Sequence, residues 1–410
     1  MTAPAPALAS ADAPEFSMRQ VGVLAIACGL AVCTIYYHQP LLPQMAAAFD
    51  RPAAAASIIA TVTQLGYATG LLTLVPLGDR MQPRTLIMLA IVANAIALLG
   101  CAAASSFAML GVCSFLVGVS GISAQVVTPA VATMVSPAAR GRVIGTLLGG
   151  LSSGLLLART VSGVLGQHIG WRPVFVLAAC GDLVLLALVS TALPRSTSLG
   201  SVPYRQLMAS LVDLLREEKA LRLTAATAFL MFAAFSALWS SLAGLLARPP
   251  YAFGPAAIGA FGLVSVIGIA LSSRIGALAD RLGSQSMFLA GALTIAAGFV
   301  FIAASGHGLT WLIIGMVLLD FGNRAGLVAN QSRLYVLRQD ARSRLNTVFI
   351  GSYFLGGSVG AAVGGWAAHY AAWWGLAGIG ASFALAAALL NTLASTNADK
   401  AAATAAPETS

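Results

Sequence analysis

Residues 276–283 read Gly-Ala-Leu-Ala-Asp-Arg-Leu-Gly and separate two apolar runs, at about 255–276 and 286–305. A charged pair in a short turn between two apolar runs is typical of helices that cross a bilayer and reverse at its surface. Alternating short strands of a membrane barrel would give a different pattern. The number of such runs in the chain therefore decides the fold.

The composition places the chain in a membrane. Of its 410 residues, 59% are hydrophobic and only 9% are charged, whereas a soluble domain has about 25% charged residues. This excludes a water-soluble globule and a disordered chain. One crossing takes about 20 residues, so the apolar content allows at most about twelve crossings.

Polar turns divide the apolar residues into that number of runs. The predicted spans lie near 20–42, 55–78, 85–104, 107–135, 143–166, 173–194, 223–247, 255–276, 286–305, 309–332, 345–367 and 372–394. The longest polar stretch, 195–222, divides six spans from six.

The positive charges predict the orientation of the chain. With both termini on one side, 17 of the 22 Lys and Arg fall in the segments on that side, and only Arg51, Arg172 and Arg248 fall in the opposite loops. Because short loops rich in Lys and Arg stay in the cytoplasm, both termini are expected there, in a multi-pass protein of the cell (inner) membrane. The net charge of +9 reflects this bias, and no basic face or aromatic platform indicates a nucleic-acid partner.

Matching motifs recur between the halves. Leu77–Arg80 returns as Leu278–Arg281 at an offset of 201, and Ala139–Arg142 returns as Ala341–Arg344 at an offset of 202. The same offset of 202 relates small residues of the fifth and eleventh spans, namely Gly154, Ala158 and Gly163 to Gly356, Gly360 and Gly365. Three matches at offsets of 201 to 202 residues indicate a duplicated unit.

The stretch 276–283 resembles the cytoplasmic G-x-L-a-D-R-x-G signature of the major facilitator superfamily, and Val75–Gln82 is similar to a reduced copy of it. The resemblance covers essentially the whole chain. It implies two parallel repeats with a substrate site between them near the bilayer midplane. Gly154–Gly163 is similar to the fifth-span pattern of drug and sugar antiporters in that family, with Arg159 in place of its proline.

These observations together predict an all-α membrane protein with 12 transmembrane helices in two pseudo-symmetric six-helix bundles. The bundles are residues 19–194 and 223–395, and a cytoplasmic central loop over 195–222 joins them. Residues 1–18 and 396–410, rich in Ala, Pro, Ser and Thr, are predicted to be disordered tails.

The charged turns that repeat in both halves predict a cytoplasmic gate. Its residues are Asp79, Arg80, Arg84, Arg140, Arg142, Asp280, Arg281, Arg342 and Arg344. An aspartate at a helix end can pair with a neighbouring helix in one conformation and release it in another. The alternative is a solvated turn whose ion pair contributes little.

Four charges fall inside predicted spans, namely Arg159, Asp182, Asp320 and Arg324. Each costs at least about 2.5 kcal/mol at the midplane. Asp320 and Arg324 are four residues apart, the spacing of a pair on one helix face, and a cross-helix pair between Asp182 and Arg159 is plausible from their depth. We expect Asp320 to change protonation during the transport cycle while Arg324 stabilises its charged form. The alternative is a static pair that holds the tenth span in place, and for Asp182 a static role is favoured.

Polar and aromatic residues in several spans predict a central cavity. The candidates are Tyr36, Tyr37, His38, Gln39, Gln64, Tyr67, Gln125, Trp239, Asn323 and Asn330. A cavity lined mainly by uncharged groups suits a small neutral or amphiphilic solute. For any single residue, packing or interfacial anchoring is an equal alternative.

The sequence contains no nucleotide-binding loop, metal-ligand motif or nucleophile elbow. We therefore expect neither an enzyme nor a primary pump, and no cofactor or metal. The predicted function is proton-coupled efflux by alternating access, with protons, the solute and the bilayer as partners of a monomer. The alternatives are a proton-coupled uptake symporter or, in a different class, a non-transporting membrane sensor, for which the soluble segments are short.

Overall fold

The computed structural model describes residues 17–194, 203–337 and 341–405, and within these ranges the chain is helical with no strand. The helices are α1 (Met18–Tyr36), α2 (Leu42–Ala47), α3 (Ser57–Thr73), α4 (Pro83–Ala102), α5 (Phe107–Ser120), α6 (Ser123–Met134), α7 (Pro137–Ile169), α8 (Trp171–Ala192), α9 (Tyr204–Glu217), α10 (Lys219–Leu246), α11 (Pro255–Ala260), α12 (Ser265–Ala303), α13 (Leu309–Val336) and α14 (Arg342–Ala405).

Helix starts follow recognisable capping chemistry. Ser17 accepts a hydrogen bond from the backbone N–H of Gln20 at 3.3 Å, and the Gln20 side chain accepts one from the Ser17 N–H at 2.9 Å, which is a capping box. Ser106 caps α5 through the N–H of Met109 at 3.2 Å. Prolines whose missing N–H costs nothing open α4, α7 and α11 at Pro83, Pro137 and Pro255.

Ten helical segments of the described chain are long and apolar enough to cross a membrane, which makes this a multi-pass membrane protein. One of them, Ser343–Ala394, has 52 residues and breaks at Ala371 and Ala372. Pro255–Ile267 is a further, shorter apolar segment. The backbone also breaks at Gly283, whose φ of 76° favours glycine. The count of twelve stays a prediction.

The helices pack mainly in pairs within each half. In the first half α1 lies against α7, α3 against α5 and α4 against α8; in the second, α10 lies against α14 and α12 against α13. Where α1 crosses α7, a Cβ on Gly154 would lie 2.2 Å from the Gly29 carbonyl oxygen. Small residues in the fifth span thus permit close helix packing, as their spacing predicts.

Two predicted segments differ from the structure. The stretch 195–222 contains α9 and the start of α10, because Leu207, Leu211 and Leu214 form a buried stripe at helical spacing. The backbone of α14 continues to Ala405, where an alanine-rich sequence favours helix over the disorder predicted from 396 onward. Residues 1–16, 195–202 and 406–410 of the predicted tails and loop lie outside the described residues.

Candidate functional site

Two contact lines form the seam between the halves, α3 against α14 and α7 against α11. We call the end of the seam near residues 79–84, 135–142 and the start of α14 at Arg342 the arginine-rich end. The other end, near the turns at 37–56 and 247–254, is called the far end. The two ends of the seam differ in how closely the halves approach.

At the far end the halves touch backbone to backbone. A Cβ on Gly163 of α7 would lie 2.4 Å from the Pro255 carbonyl oxygen, and one on Gly259 would lie 2.4 Å from the Arg159 carbonyl oxygen. The Thr160 hydroxyl donates to the Gly259 carbonyl at 3.2 Å. The Ala256 N–H donates to the Gln167 side chain at 3.2 Å. The far end is therefore closed by contacts that only glycine permits.

At the arginine-rich end the halves enclose a cavity of about 510 Å³. The first half contributes residues of α3, α6 and α7 or their adjoining turns, and the second half contributes the start of α14. The lining residues are Leu71, Val75, Gln125, Pro129, Ala132, Arg140, Ile144, Ser343, Asn346, Thr347 and Ile350. The structure is thus hollow toward the arginine-rich end, and Gln125 and Arg140 are part of the cavity lining.

The ion pair predicted from the spacing of Asp320 and Arg324 is present on α13. The Arg324 Nε donates to Asp320 Oδ2 at 2.8 Å, and the aspartate is buried. Immediately before Arg324, the Asn323 amide donates to the Tyr353 hydroxyl of α14 at 2.9 Å, while its Oδ1 has no partner. Both acidic and basic groups of this pair interact electrostatically with Tyr353. The pair is therefore tied to α14, the helix that forms one side of the seam.

Arg159 of α7 lies near the far end of the seam, and its side chain is only 3% exposed. Its Nε donates to the Gln39 Oε1 at 2.5 Å. Its guanidinium carbon lies 3.7 Å from the ring centre of Trp239, on the other half, and 5.1 Å from that of Tyr36. Asp320 is close enough to interact electrostatically with it. Arg159 thus joins both halves through uncharged partners.

Aromatic residues hold the middle of the seam. The Tyr67 ring of α3 packs edge-on against Phe354 with centroids 4.5 Å apart, and Phe232 of α10 stacks on Tyr353 at 3.8 Å. Beside them, the amide of Gln64 donates to the Ser236 hydroxyl across the seam at 2.7 Å. Tyr67 and Gln64 are therefore contacts between the halves in this conformation.

The plausible pair between Asp182 and Arg159 is absent from the structure, in which both residues are described. Asp182 is buried on α8 near Tyr37, and its Oδ2 has no hydrogen-bond partner. Depth along two helices says nothing about which way each side chain faces. Here Arg159 faces the seam, whereas α8 packs against α1 and α4.

Other predicted cavity residues have different surroundings. Asn330 and Thr227 hydrogen-bond each other, with the Asn330 amide donating at 3.1 Å, so α13 is fastened to α10 there. Tyr37 lines a mostly apolar groove of about 470 Å³ between α1 and α7. His38 is buried and its Nε2 has no partner.

The predicted gate residues lie around the arginine-rich end. Arg84 donates to the Ser190 carbonyl at 2.5 Å, which fastens α4 to α8. The side chains of Arg80, Arg140, Arg142 and Arg281 are exposed and that of Arg344 is half-buried. The side chains of Asp79, Asp280 and Arg342 lie outside the described part of the structure, so the gate stays a prediction.

Sequence reasoning missed Phe232, Phe235, Tyr353 and Phe354, which form the second half's share of the aromatic cluster. The spacing of Phe232, Phe235 and Trp239, three and four residues apart on α10, is the signal that marks them. It also missed Gly259, whose contact with Arg159 depends on a helix packing that one sequence does not reveal.

A multi-pass chain whose two halves meet along a seam, closed at one end and hollow at the other, has the architecture of a secondary transporter. The chain belongs to the Major Facilitator Superfamily, whose sequence profile matches residues 24–364. The members of this family are transporters and not enzymes.

Relatives and solved structures agree with this assignment. The chain is 38% identical over 375 residues to the putative uncharacterized transporter YgaY of Escherichia coli K12, covering 90% of this chain and 94% of that one. It is 29% identical to the probable transporter SCO4007 of Streptomyces coelicolor, covering 87% and 83%. Its fold is similar to that of the nucleoside transporter NupG (TM-score 0.78, 13% identity, covering 91% and 99%) and to that of the human organic anion transporter MFSD10 (TM-score 0.68, 18% identity, covering 92% and 100%).

Proposed function

We propose that this protein exports a small neutral or amphiphilic solute in exchange for protons, by alternating access between its two halves. The observation that carries the proposal is the position of Asp320. This buried carboxylate is paired with Arg324 on its own helix and interacts electrostatically with Arg159 on the other half. When a carboxylate interacts with charged groups on both halves, its protonation can depend on the relative position of the halves.

The coupling follows from the energetics of charge in a membrane. A charged aspartate at the bilayer centre costs about 2.5–3.5 kcal/mol unless partners compensate for it. Protonation of Asp320 removes that charge and weakens its attraction to Arg324 and Arg159. The balance between the two orientations of the halves then changes, and release of the proton on the other side resets it.

Orientation follows from the positive-inside rule. With the arginine-rich end in the cytoplasm and the protein in the inner membrane, the cavity of about 510 Å³ faces the cytoplasm, where an exported solute is captured. The repeated charged turns would then act as the cytoplasmic gate in the other conformation.

The structural neighbours support a wide choice of solute. A nucleoside transporter and an organic anion transporter have this fold. In this chain, the cavity lining contains amide and hydroxyl groups beside aliphatic side chains, with Arg140 as its charged member. A neutral or amphiphilic solute fits these groups better than a cation does.

Inverted membrane vesicles test the proposal. Vesicles are energised so that the lumen is acid, candidate solutes are added outside, and lumenal pH is followed by fluorescence. A transported solute should release protons from the lumen and accumulate inside. Symport would move solute and protons in the same direction, and proton movement that no solute alters contradicts proton-coupled transport.

Charge variants show whether Asp320 is the coupling group. Asp320→Asn should abolish solute-driven proton release, and the double variant Asp320→Asn with Arg324→Gln should retain solute counterflow, because it removes both charges of the pair together. Asp213→Asn, an exposed carboxylate on α9, is the matched control and should behave as wild type. Intact proton coupling in a folded Asp320→Asn protein would refute the assignment.

A further inference from the structure

Arg159 is a buried arginine without an acidic partner among the described residues. It is nine-tenths buried at membrane depth, yet no described carboxylate lies within ion-pair distance of it. Its hydrogen-bond partner Gln39 is neutral, and its other close contacts are the rings of Trp239 and Tyr36. A buried guanidinium is normally matched by an anion, because neutral groups compensate only part of the lost hydration.

The charges at the seam do not cancel. Arg159 and Arg324 each carry a positive charge, and among the described residues Asp320 is the one carboxylate that interacts with both; it is already paired with Arg324 at 2.8 Å. Asp182, on α8, lies near Tyr37 and forms no ion pair with Arg159. Among the described residues of this buried cluster, Arg159, Arg324 and Asp320 therefore leave one positive charge in excess, and that charge belongs to Arg159.

In the present conformation the space beside Arg159 is small. The void between Gln39, Pro40, Arg159 and Trp239 measures about 10 Å³, room for about one water molecule. Arg159 is on α7 of one half and Trp239 on α10 of the other, so opening of the far end separates them. The guanidinium and the indole face would then both line the entrance.

A ligand that enters between these two groups has to satisfy both. A carboxylate forms two parallel hydrogen bonds with a guanidinium. A flat ring stacks on the indole, and Phe235 extends the aromatic surface along α10, 6.2 Å from Trp239 between ring centres. An ammonium group placed there would be repelled by Arg159.

We infer that Arg159 and Trp239 form a binding site, built when the far end opens, for an aromatic organic monoanion whose carboxylate pairs with Arg159. The inference rests on the proposed transport function. It restricts the class of transported solute from neutral or amphiphilic molecules to amphiphilic carboxylates. When the far end is open, the ligand would supply the anion that the described residues around Arg159 lack.

Matched acids and amides test the site directly. The purified protein is titrated with 3-phenylpropionate and indole-3-acetate and with their carboxamides, which keep ring and shape but have no charge. Binding is read as thermal stabilisation and as lengthening of the distance between spin labels at His168 and Ala257, both exposed at the far end. The acids should bind about 10- to 100-fold more tightly than the amides.

Variants separate binding from a structural role. Arg159→Gln should abolish the difference between acid and amide, and Arg159→Lys should keep part of it. Arg172→Gln is the matched control, since Arg172 also stacks on a tryptophan, Trp171, and donates to a backbone carbonyl, but lies away from the seam. It should leave the difference intact.

The outcomes distinguish this inference from the proposed function. Equal binding of acids and amides, or binding of neither, overturns the carboxylate site, even if another solute drives proton release. Loss of affinity for acid and amide alike in Arg159→Gln also overturns it, because a structural role would affect both. Acid binding without any proton movement would support the site and refute proton coupling.

Discussion

The contact between Gly163 and Pro255 at the far end provides a direct test of the closed seam. In Gly163→Ala the new methyl group would lie 2.4 Å from the Pro255 carbonyl oxygen and 3.0 Å from the Gly259 Cα. An ordinary contact needs at least 3.4 Å, so α7 and α11 have to separate by about 1 Å. Neither obstacle is a flexible side chain that can move aside.

The cost falls on one conformation only. Overpacking of this kind costs about 1–3 kcal/mol, and when the far end is open the methyl group meets no opposing backbone. The ratio of far-end-closed to far-end-open molecules should therefore fall about 5- to 150-fold. Gly149→Ala is the matched control on the same helix, because a Cβ there meets nothing within 4 Å, and both variants gain the same helix propensity of about 1 kcal/mol.

Pulsed electron resonance between spin labels at His168 and Ala257 measures the two populations. Gly163→Ala should shift the distance distribution to the longer, open component, and Gly149→Ala should leave it unchanged. Gly259→Ala, whose Cβ would lie 2.4 Å from the Arg159 carbonyl, should act like Gly163→Ala. If folded Gly163→Ala and Gly259→Ala proteins both give the wild-type distribution, the far end is not closed by these contacts.

Two further predictions concern stability and orientation. Thr227→Val should lower the free energy of unfolding in detergent by about 0.6–1.7 kcal/mol, because it leaves Asn330 without its partner; the double variant with Asn330→Leu should recover part of the loss, and no change in melting temperature would contradict the pairing. In a variant without the five native cysteines, an impermeant maleimide should label Ser343→Cys from the cytoplasmic side and Ala252→Cys from the outside. The reverse labelling would invert the topology.

The sequence predicts local relations in this protein well. Asp320 and Arg324 are on one helix, so their spacing of four residues alone places them on one face, and the ion pair is confirmed. The membrane class and the family follow from composition and from the repeated Asp-Arg turns, because both are encoded within short stretches.

Relations between helices are harder to predict. The direction in which Arg159 faces depends on the rotation of α7 against α10 and α11, which is determined by where glycines allow backbones to meet. For that reason its contacts with Gln39 and Trp239 were not predicted, and the suggested pair with Asp182 was wrong. The role of Asn330 likewise depends on the packing of α13 on α10, which places Thr227 opposite it.

The chemistry of the far end also sets how the protein should respond to its surroundings. Between α7 and α11, glycine backbones meet carbonyl oxygens, and none of the described contacts is an ion pair. Beside them, Arg159 packs on the aromatic ring of Trp239. Separating the described contacts between α7 and α11 therefore breaks no pair of opposite charges that dissolved salt would screen. The equilibrium between the two orientations should depend weakly on ionic strength, so a strong effect of salt on transport would have to arise at the arginine-rich end.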